Sequence, residues 1–377
     1  MSVKPEAAGN GRGRTPYLSH FTEFSERRAR FVESFGDAKI DAFLVTALPN
    51  VRYLSGFSGS NAALLLTADR SLLFTDPRYQ TQAPQECDCD IKIAKKALLI
   101  EAPIWVNRLA VKRLGVERTR ISFEAYDFLK RNAKTFQLVP VGDTIEQLRM
   151  VKSATEIATI RKAVELNSAA FDHALRTFKR GMTEVDLAGK IEYRMRRLGA
   201  DGPSFETIVA AGPRTALPHA HPTARAIKDD ELLLVDMGAT VAGYASDMTR
   251  TMGVGRLSTK ARRMYRAILE SQLVAIDSIK AGIASSTVDR SARNVLKKHG
   301  LDKCFIHSTG HGLGLEIHEG PRIGKKEARR LEAGMAITVE PGVYLEDFGG
   351  VRIEDTVIVT KNGCEVLTPT SKDLIIL

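Results

Sequence analysis

The feature that most constrains how this chain can fold is a set of charged residues within apolar runs of its C-terminal half. The set comprises four carboxylates and one imidazole, namely Asp236, Asp247, His311, Glu340 and Glu354. An isolated ionised carboxylate is costly to bury, so several of them in apolar runs require a compensating positive charge. A pair of divalent cations would supply that charge. These five residues are therefore candidate metal ligands.

The first two carboxylates lie on a predicted β-hairpin. Asp236 ends the apolar run LLLV of residues 232–235, and Asp247 follows in the next predicted strand. A turn centred between Val241 and Ala242 would place the two carboxylates directly opposite each other, on one face and about 5 Å apart. A bulge at Gly243 would shift this register. In the alternative interpretation, Asp236 merely ends a strand and Asp247 faces water.

The other three candidates also stand in unusual sequence contexts. Glu340 follows the apolar residues 336–339, and Glu354 lies within the strand-like segment 351–358. A single glutamate in such a run usually faces water, but four carboxylates in four such runs disfavour that interpretation. His311 has a glycine on each side, which permits unusual backbone angles and a close approach of neighbouring chain.

The donor chemistry indicates the kind of metal. An oxygen-rich set with one imidazole suits hard or borderline divalent ions such as manganese, cobalt or iron, whereas structural zinc sites are rich in Cys and His. Four carboxylates and one neutral imidazole nearly balance two divalent charges, and two such ions can polarise a carbonyl for hydrolysis. Manganese or cobalt is favoured over zinc or iron.

Composition excludes several other classes of protein. The net charge is +10, but Lys and Arg are scattered and only 6% of residues are aromatic, so nucleic acid is not the expected partner. The sequence has no stretch approaching the ~20 apolar residues of a membrane span. The four cysteines form no Cys-x-x-Cys pair, which disfavours zinc-knuckle and redox motifs and suits a cytoplasmic protein.

The length of 377 residues and the order of elements predict two domains after a polar, glycine- and arginine-rich tail at 1–16, expected to be disordered. Residues 17–145 alternate strands and helices, as in an α/β domain. The predicted helices are 23–35 and 104–114, and the predicted strands are 41–46, 62–67, 71–75 and 120–123.

Residues 146–377 predict an α+β domain with a largely antiparallel sheet, entered through a linker at 147–153. Ser153 with Glu156, and more weakly Thr183 with Asp186, predict capped helix starts. Further helices are expected at 260–279 and 288–299, and strands at 232–237, 243–252, 336–340 and 352–359.

The motifs together resemble a known family. Residues 232–251, 307–320, 337–344 and 351–358 are similar to the metal-binding signatures of the pita-bread metallopeptidases, and more narrowly of aminopeptidase P and prolidase. The segments 48–57 (LPNVRYLSGF) and 73–79 (LFTDPRY) resemble the creatinase/prolidase N-terminal domain. The resemblance runs from about residue 24 and implies a curved, largely antiparallel catalytic sheet.

The resemblance also implies an activity, which is hydrolysis of the bond between an N-terminal residue and proline by a metal-bridging hydroxide. Asp236 would bind one metal, Asp247 and Glu354 would bridge two, and His311 with Glu340 would complete the second. Glu340 would in addition shuttle a proton to the leaving nitrogen. The expected partners are a peptide with proline in second position and a second copy of the chain, in a homodimer.

Four further residues are implied to contact substrate or to line the site: His219, His318, Arg352 and His307. His219 and His318 would stabilise the developing tetrahedral charge, and Arg352 would orient a ligand carboxylate or pair with the buried carboxylates. His219 could instead be a surface residue, with His221 competing for its role, and His318 a packed core histidine. Tyr344 is expected to lie behind the site.

Several alternatives stay open at the level of sequence. Creatinase shares the architecture, but its metal ligand set is not intact. Methionine aminopeptidase shares the five ligands, although the preceding α/β domain fits the proline-specific branch better. A non-catalytic binding protein of this fold is a further alternative. The sequence does not distinguish dipeptides from longer peptides as substrates.

Overall fold

The structure, a computed structural model, describes residues 16–377 and the side chains of residues 22–377. The tail 1–16 lies outside these residues except for Pro16, where the first helix begins. The chain divides into two compact units between Ile145 and Glu146. No helix in the described region has the length and apolar character needed to cross a bilayer.

The first unit is built on a six-stranded mixed sheet with the order β4-β3-β2-β1-β5-β6. Its strands are β1 (Ala42–Val45), β2 (Ala62–Thr67), β3 (Ser71–Thr75), β4 (Asp90–Ile93), β5 (Arg113–Glu117) and β6 (Gln137–Val141). Its helices are α1 (Pro16–Glu33), α2 (Phe35–Ala38), α3 (Leu48–Ser55), α4 (Ala83–Glu86), α5 (Leu98–Arg108) and α6 (Phe123–Asn132), and α7 (Thr144–Met150) contains the division. Because strands alternate with helices and β1–β5, β3–β4 and β5–β6 are parallel, the predicted α/β class is confirmed.

Two predicted elements of the first unit are wrong, one of them in part. The helix expected at 104–114 ends at Arg108, and the last two residues of that range, Arg113 and Leu114, lie in β5 instead. The strand expected at 120–123 is a turn, because the Ser122 side chain accepts a hydrogen bond from the Ala125 amide and starts α6 there. A capping serine outweighs the β-propensity of its neighbours. Strands β2 and β3 have the predicted bounds.

The second unit is an α+β structure in which every pairing between named strands is antiparallel. Its helices are α8 (Ala154–Arg176), α9 (Glu184–Arg197), α10 (Thr259–Asp277) and α11 (Ser285–Lys298). Its first strands are β7 (Gly202–Pro203), β8 (Ile208–Ala211), β9 (Glu231–Met237), β10 (Ala239–Val241), β11 (Tyr244–Ala245) and β12 (Met248–Val254). The later strands are β13 (Gly310–Gly312), β14 (Glu319–Ile323), β15 (Ala336–Val339), β16 (Gly342–Leu345), β17 (Gly349–Arg352), β18 (Asp355–Val359) and β19 (Cys364–Val366).

Two sheets dominate this unit, β12-β9-β8 and β14-β13-β15-β18-β19. Helices α8 and α9 bury their apolar faces against the first sheet, and α10 and α11 pack over β15, β17 and β18. Both predicted capping boxes are present, Ser153 with Glu156 and Thr183 with Asp186, so these helix starts are confirmed. The expected linker at 147–153 is wrong in part, because α7 continues to Met150.

The register of the β9–β12 pair differs from the prediction. The chain turns at Ala242 and Gly243, which both have positive φ, 46° and 77°. The turn therefore lies one residue later than predicted, and Asp236 pairs with Thr249 instead of Asp247. Asp247 itself lies in a break between β11 and β12. A positive φ at alanine is uncommon, so the residue type did not indicate it.

Candidate metal centre

A cavity of about 540 Å³ in the second unit contains every candidate site residue in its wall. These residues are Asp236, Asp247, His311, Glu340, Glu354, His219, His307, His318 and Arg352. Apolar side chains of Phe205, Ile208 and Ile317 line other parts of the wall. The cavity thus combines ionisable side chains with apolar ones, as small-molecule sites commonly do.

The carboxylates and the imidazole lie close enough to share ions. Asp247, His311 and Glu354 each offer a ligand atom within 4.8 Å of the others. His311 Nε2 lies 3.6 Å from Asp247 Oδ2 and 3.6 Å from Glu340 Oε1. Asp236 and Asp247 each bury an Oδ1 atom that accepts no hydrogen bond from any residue in the described region. Buried oxygens without donors are the groups that a cation would satisfy.

Thr249, which sequence reasoning missed, connects two of the ligands. It lies opposite Asp236 in the β9–β12 pair. Its hydroxyl donates to Glu354 Oε2 at 2.7 Å, and its carbonyl accepts from the Glu354 amide at 3.1 Å. Glu354 follows the end of β17, so these bonds join that strand end to β12. A threonine in a strand gives no sequence signal for such a role.

His311 reaches the cavity from a strand that allows no side chain at its flanking positions. A Cβ on Gly310 would lie 2.0 Å from the Thr338 carbonyl oxygen, and one on Gly312 would lie 2.0 Å from the Gly320 oxygen. The Nδ1 atom lies 3.0 Å from the Gly312 carbonyl and must donate to it, which leaves Nε2 unprotonated. Burial lowers the pKa of His311 to about 4, so its ring is neutral and Nε2 can ligate a metal.

Three of the carboxylates, Asp247, Glu340 and Glu354, hold their protons more tightly than usual when no metal is bound. Burial raises the pKa of Glu340 to about 8, with Arg352 opposing this rise and Asp236 adding to it. Burial and the neighbouring carboxylates also raise the pKa values of Asp247 and Glu354 well above their ordinary values. A cation would reverse this balance and ionise the cluster. The donor set therefore fits hard or borderline divalent ions.

Arg352 is the buried cation beside this cluster. Its Nη2 donates to Asp236 Oδ2 at 2.6 Å and its Nε donates to Thr249 Oγ1 at 3.0 Å. Its Nη1 donates to the Tyr344 hydroxyl at 2.7 Å. That hydroxyl lies 2.9 Å from His307 Nε2, and the Nδ1 of the same ring donates to the Ser308 carbonyl, so Tyr344 donates to His307. Arg352 therefore pairs with a buried carboxylate, Asp236, which is one of the two roles that the sequence left open for it.

A second buried arginine braces the cluster from behind. Arg250 is 1% exposed, and its Nη1 donates to the Glu354 carbonyl at 2.6 Å. Its Nη2 donates to Asp355 Oδ1 and to the Thr370 carbonyl, both at 2.7 Å, and its Nε donates to the Ser371 carbonyl at 2.9 Å. The segment after β19 is therefore tied to the backbone of a candidate ligand. Sequence reasoning missed this brace.

The candidate substrate histidines lie along the cavity wall. The His318 ring stands edge-on to that of His311, with centroids 4.3 Å apart. His219 is exposed on the loop that follows β8. His221 also lines the cavity, but its Nδ1 lies 3.0 Å from Glu206 Oε2 and its side chain is 77% exposed. His219 and His221 line the same cavity, and the contact with Glu206 distinguishes His221.

Arg322 is a further lining residue that sequence reasoning missed. It lies on β14 and is exposed, and no ion pair of Arg322 occurs with any residue in the described region. The sequence signal was present but weak, since it consisted of a single cation shortly after His318. An exposed guanidinium in the wall of a cavity can bind a carboxylate of a ligand.

Comparisons with known proteins agree over nearly the whole chain. Residues 158–361 match the model of metallopeptidase family M24, and residues 27–151 match the creatinase/prolidase N-terminal domain. An Xaa-Pro dipeptidase of Pyrococcus horikoshii is 36% identical, covering 93% of this chain and 99% of the relative. An uncharacterized peptidase of Bacillus subtilis is 38% identical, covering 91% of this chain and 98% of the relative.

Solved structures give the same result. The Xaa-Pro dipeptidase from Bacillus anthracis has a TM-score of 0.91 at 37% identity, covering 94% of this chain and 100% of that one. The X-Pro aminopeptidase from Thermotoga maritima has a TM-score of 0.87 at 34% identity, covering 93% of this chain and 99% of that one. The predicted family and fold are confirmed, and the chain belongs to metallopeptidase family M24, with a creatinase/prolidase N-terminal domain.

Proposed function

We propose that this chain is a metallo-exopeptidase that hydrolyses the peptide bond between an N-terminal residue and proline, using two divalent metal ions. The observation that carries the proposal is that one cavity is lined by all five candidate ligands, Asp236, Asp247, His311, Glu340 and Glu354. The similar proteins named Xaa-Pro dipeptidase and X-Pro aminopeptidase support the substrate class.

Each ligand has a proposed role. Asp236 would help to hold one ion, His311 and Glu340 would help to hold the second, and Asp247 and Glu354 would contribute to both. When bound, the ions supply polarisation of the scissile carbonyl and a lowered pKa for water. The neutral Nε2 of His311 and the partnerless Oδ1 atoms of Asp236 and Asp247, among the described residues, support this assignment.

The remaining chemistry is assigned to groups of this chain. Glu340 accepts a proton from the attacking water and delivers it to the proline nitrogen as the bond breaks. His219 and His318 bind the substrate and donate to the oxygen that becomes negative. Arg352 holds Asp236 in place, and His307 with Tyr344 fixes the orientation of Arg352.

The charge of the cavity wall supports dipeptides over longer peptides. A dipeptide ending in proline carries a free carboxylate one residue beyond the scissile bond. Arg322 is an exposed cation in that wall, and it has no ion-pair partner in the described chain. We assign Arg322 to that carboxylate. A longer peptide would present a neutral amide there and lose the ionic hydrogen bond.

Further assignments belong to the same proposal. Manganese or cobalt is the native metal, because an oxygen-rich donor set with one imidazole suits these ions better than zinc. Residues 17–145 and 146–377 are taken as the two functional domains, which the division between Ile145 and Glu146 supports. A homodimer in the cytoplasm is proposed, and four free cysteines are consistent with that reducing compartment.

One comparison of rates tests the function. The metal-loaded protein is assayed on an Xaa-Pro dipeptide, on Xaa-Pro-Yaa and on Met-Ala, with manganese, cobalt or a chelator present. We expect turnover of the dipeptide in manganese or cobalt and none in chelator. Turnover of Met-Ala alone would favour the methionine aminopeptidase alternative. A protein that binds no metal and hydrolyses no Xaa-Pro peptide would refute the proposal and favour a binding protein.

A further inference from the structure

Glu184 is a buried carboxylate outside the metal cluster. It is the first residue of α9 and its side chain is fully buried. Its Oε1 accepts from the Ala211 amide at 2.9 Å, and its Oε2 accepts from the Thr223 amide and hydroxyl at 3.0 and 2.7 Å. Arg214 Nε lies 3.1 Å from both oxygens. Both oxygens are thus saturated by donors, and the arginine supplies the compensating charge.

These donors come from the two ends of one loop. Ala211 ends β8 and Arg214 follows it, while Thr223 lies on the return of the chain. The Val185 amide at the start of α9 also donates to the Thr223 carbonyl at 3.1 Å. One carboxylate therefore fastens residues 211–214 to residue 223 and closes the loop at its base.

His219 lies near the middle of this closed loop. Inside the loop, Arg214 Nη2 donates to the His221 carbonyl at 2.6 Å. At the tip, the Pro218 carbonyl accepts from Arg352 Nη1 at 3.3 Å. The side chain of His219 is exposed to the cavity, so its position depends on the backbone that carries it. The base of that backbone is set by Glu184.

We propose that Glu184 is a positioning residue for the reaction, holding the loop 211–223 so that His219 meets the substrate. The inference rests on the proposed function, in which His219 binds the oxygen that becomes negative. A carboxylate suits this role because all of its neighbours are donors, and a glutamine would direct its own N–H groups at some of them. A displacement of about 1 Å in a group that contacts the transition state can lower a rate by about 100-fold.

Kinetics of Glu184→Gln test the proposal. We expect kcat and kcat/KM to fall together by about 10- to 100-fold, because the lost interaction is made in the transition state. Metal content is expected to stay unchanged. In a His219→Ala background, Glu184→Gln should lower kcat by no more than about twofold, because the side chain that Glu184 positions is already absent. Equal losses in both backgrounds would overturn the proposal.

A milder variant and a structural readout complete the test. Thr223→Ala removes one donor to Glu184 and leaves the backbone amide, so it reports on the clamp if Glu184→Gln fails to fold. We expect a smaller loss of kcat with the same dependence on His219. Amide hydrogen exchange across residues 214–223 should quicken in each folded variant. Quicker exchange with an unchanged kcat would contradict the positioning role.

Glu117 offers a matched control in the first unit. It is 4% exposed and accepts from the Thr46 amide, the Thr46 hydroxyl, the Ala47 amide and Asn50 Nδ2, at 2.7 to 2.9 Å. Glu117→Gln should lower the melting temperature without lowering kcat. A loss of kcat equal to that of Glu184→Gln would indicate general destabilisation and overturn the proposal. Absence of Xaa-Pro turnover in the wild type would refute the proposed function, whereas additive losses in an active enzyme refute only the role of Glu184.

Discussion

Removal of the metal ions should make the stability of the second unit fall as the pH rises from 6.5 to 8. Burial raises the pKa of Glu340 from 4.5 to about 8 in the folded, metal-free protein. The unfolded chain releases this proton near pH 4.5, so between these values the folded state binds more protons. The contribution of Glu340 to the stability of the folded protein is therefore fully present at low pH. It decreases as the pH rises towards the pKa of Glu340 in the folded state.

Three histidines act in the opposite direction, but only at lower pH. Burial lowers the pKa values of His307 and His311 from 6.5 to about 4 and also lowers the pKa of His318. Their contribution therefore raises stability as the pH increases to 6.5 and is constant above it. From pH 6.5 to 8, the titration of Glu340 alone lowers the free energy of unfolding by about 2 kcal/mol, at about 1.4 kcal/mol per pH unit. The raised pKa values of Asp247 and Glu354 add to this decrease.

Urea unfolding of chelator-treated protein at several pH values measures this slope. The single tryptophan, Trp105, lies in the first unit, so its fluorescence follows that unit while far-UV circular dichroism follows both. Metal-loaded protein should not show the decrease, because ligated carboxylates are already ionised. Glu340→Gln should make the stability of the metal-free protein depend less on pH, because the substitution removes the contribution of Glu340. A metal-free stability that is constant or rises between pH 6.5 and 8 would refute the reasoning.

Three further substitutions give distinct expectations. Glu340→Ala should lower kcat by at least about 100-fold without unfolding the protein, because the variant lacks the carboxylate assigned to move the proton, and near-full activity would contradict this role. His219→Ala should lower kcat by about 100-fold while metal content, measured by elemental analysis, stays unchanged; loss of metal would mean that the residue is misassigned. Arg322→Met should raise KM for an Xaa-Pro dipeptide about tenfold and leave KM for Xaa-Pro-Yaa unchanged, and equal effects on both substrates would exclude a contact with the dipeptide carboxylate.

Sequence reasoning succeeded for features that depend on residues close together in the chain. The capping boxes at Ser153 and Thr183 predicted two helix starts, because a cap and its helix lie within four residues of each other. The five candidate ligands were recognised because a charge in an apolar run conflicts with its surroundings. The structure brings all of them to one cavity.

The features that sequence reasoning missed depend on distant parts of the chain. The β9–β12 register was wrong because it rests on a positive φ at Ala242, which the residue type does not reveal. Thr249 and Arg250 are neighbours in an ordinary strand, yet the Thr249 hydroxyl donates to the Glu354 carboxylate and the Arg250 guanidinium donates to the Glu354 backbone carbonyl. Such partners lie about a hundred residues apart in the chain, so no local pattern encodes them.

The hydrogen bonds of Arg250 also bear on when the region around the metal centre can fold during synthesis of the chain. The Thr370 and Ser371 carbonyls that hold this guanidinium follow all five candidate ligands along the chain. A nascent chain that has emerged as far as Glu354 already carries every ligand, but it lacks the oxygens that fix the arginine behind that residue. Since domains fold in order from the N-terminus during translation, the first unit can mature while the metal centre is still open. The bonds from Arg250 to the Thr370 and Ser371 carbonyls can form only after residue 371 has left the ribosome.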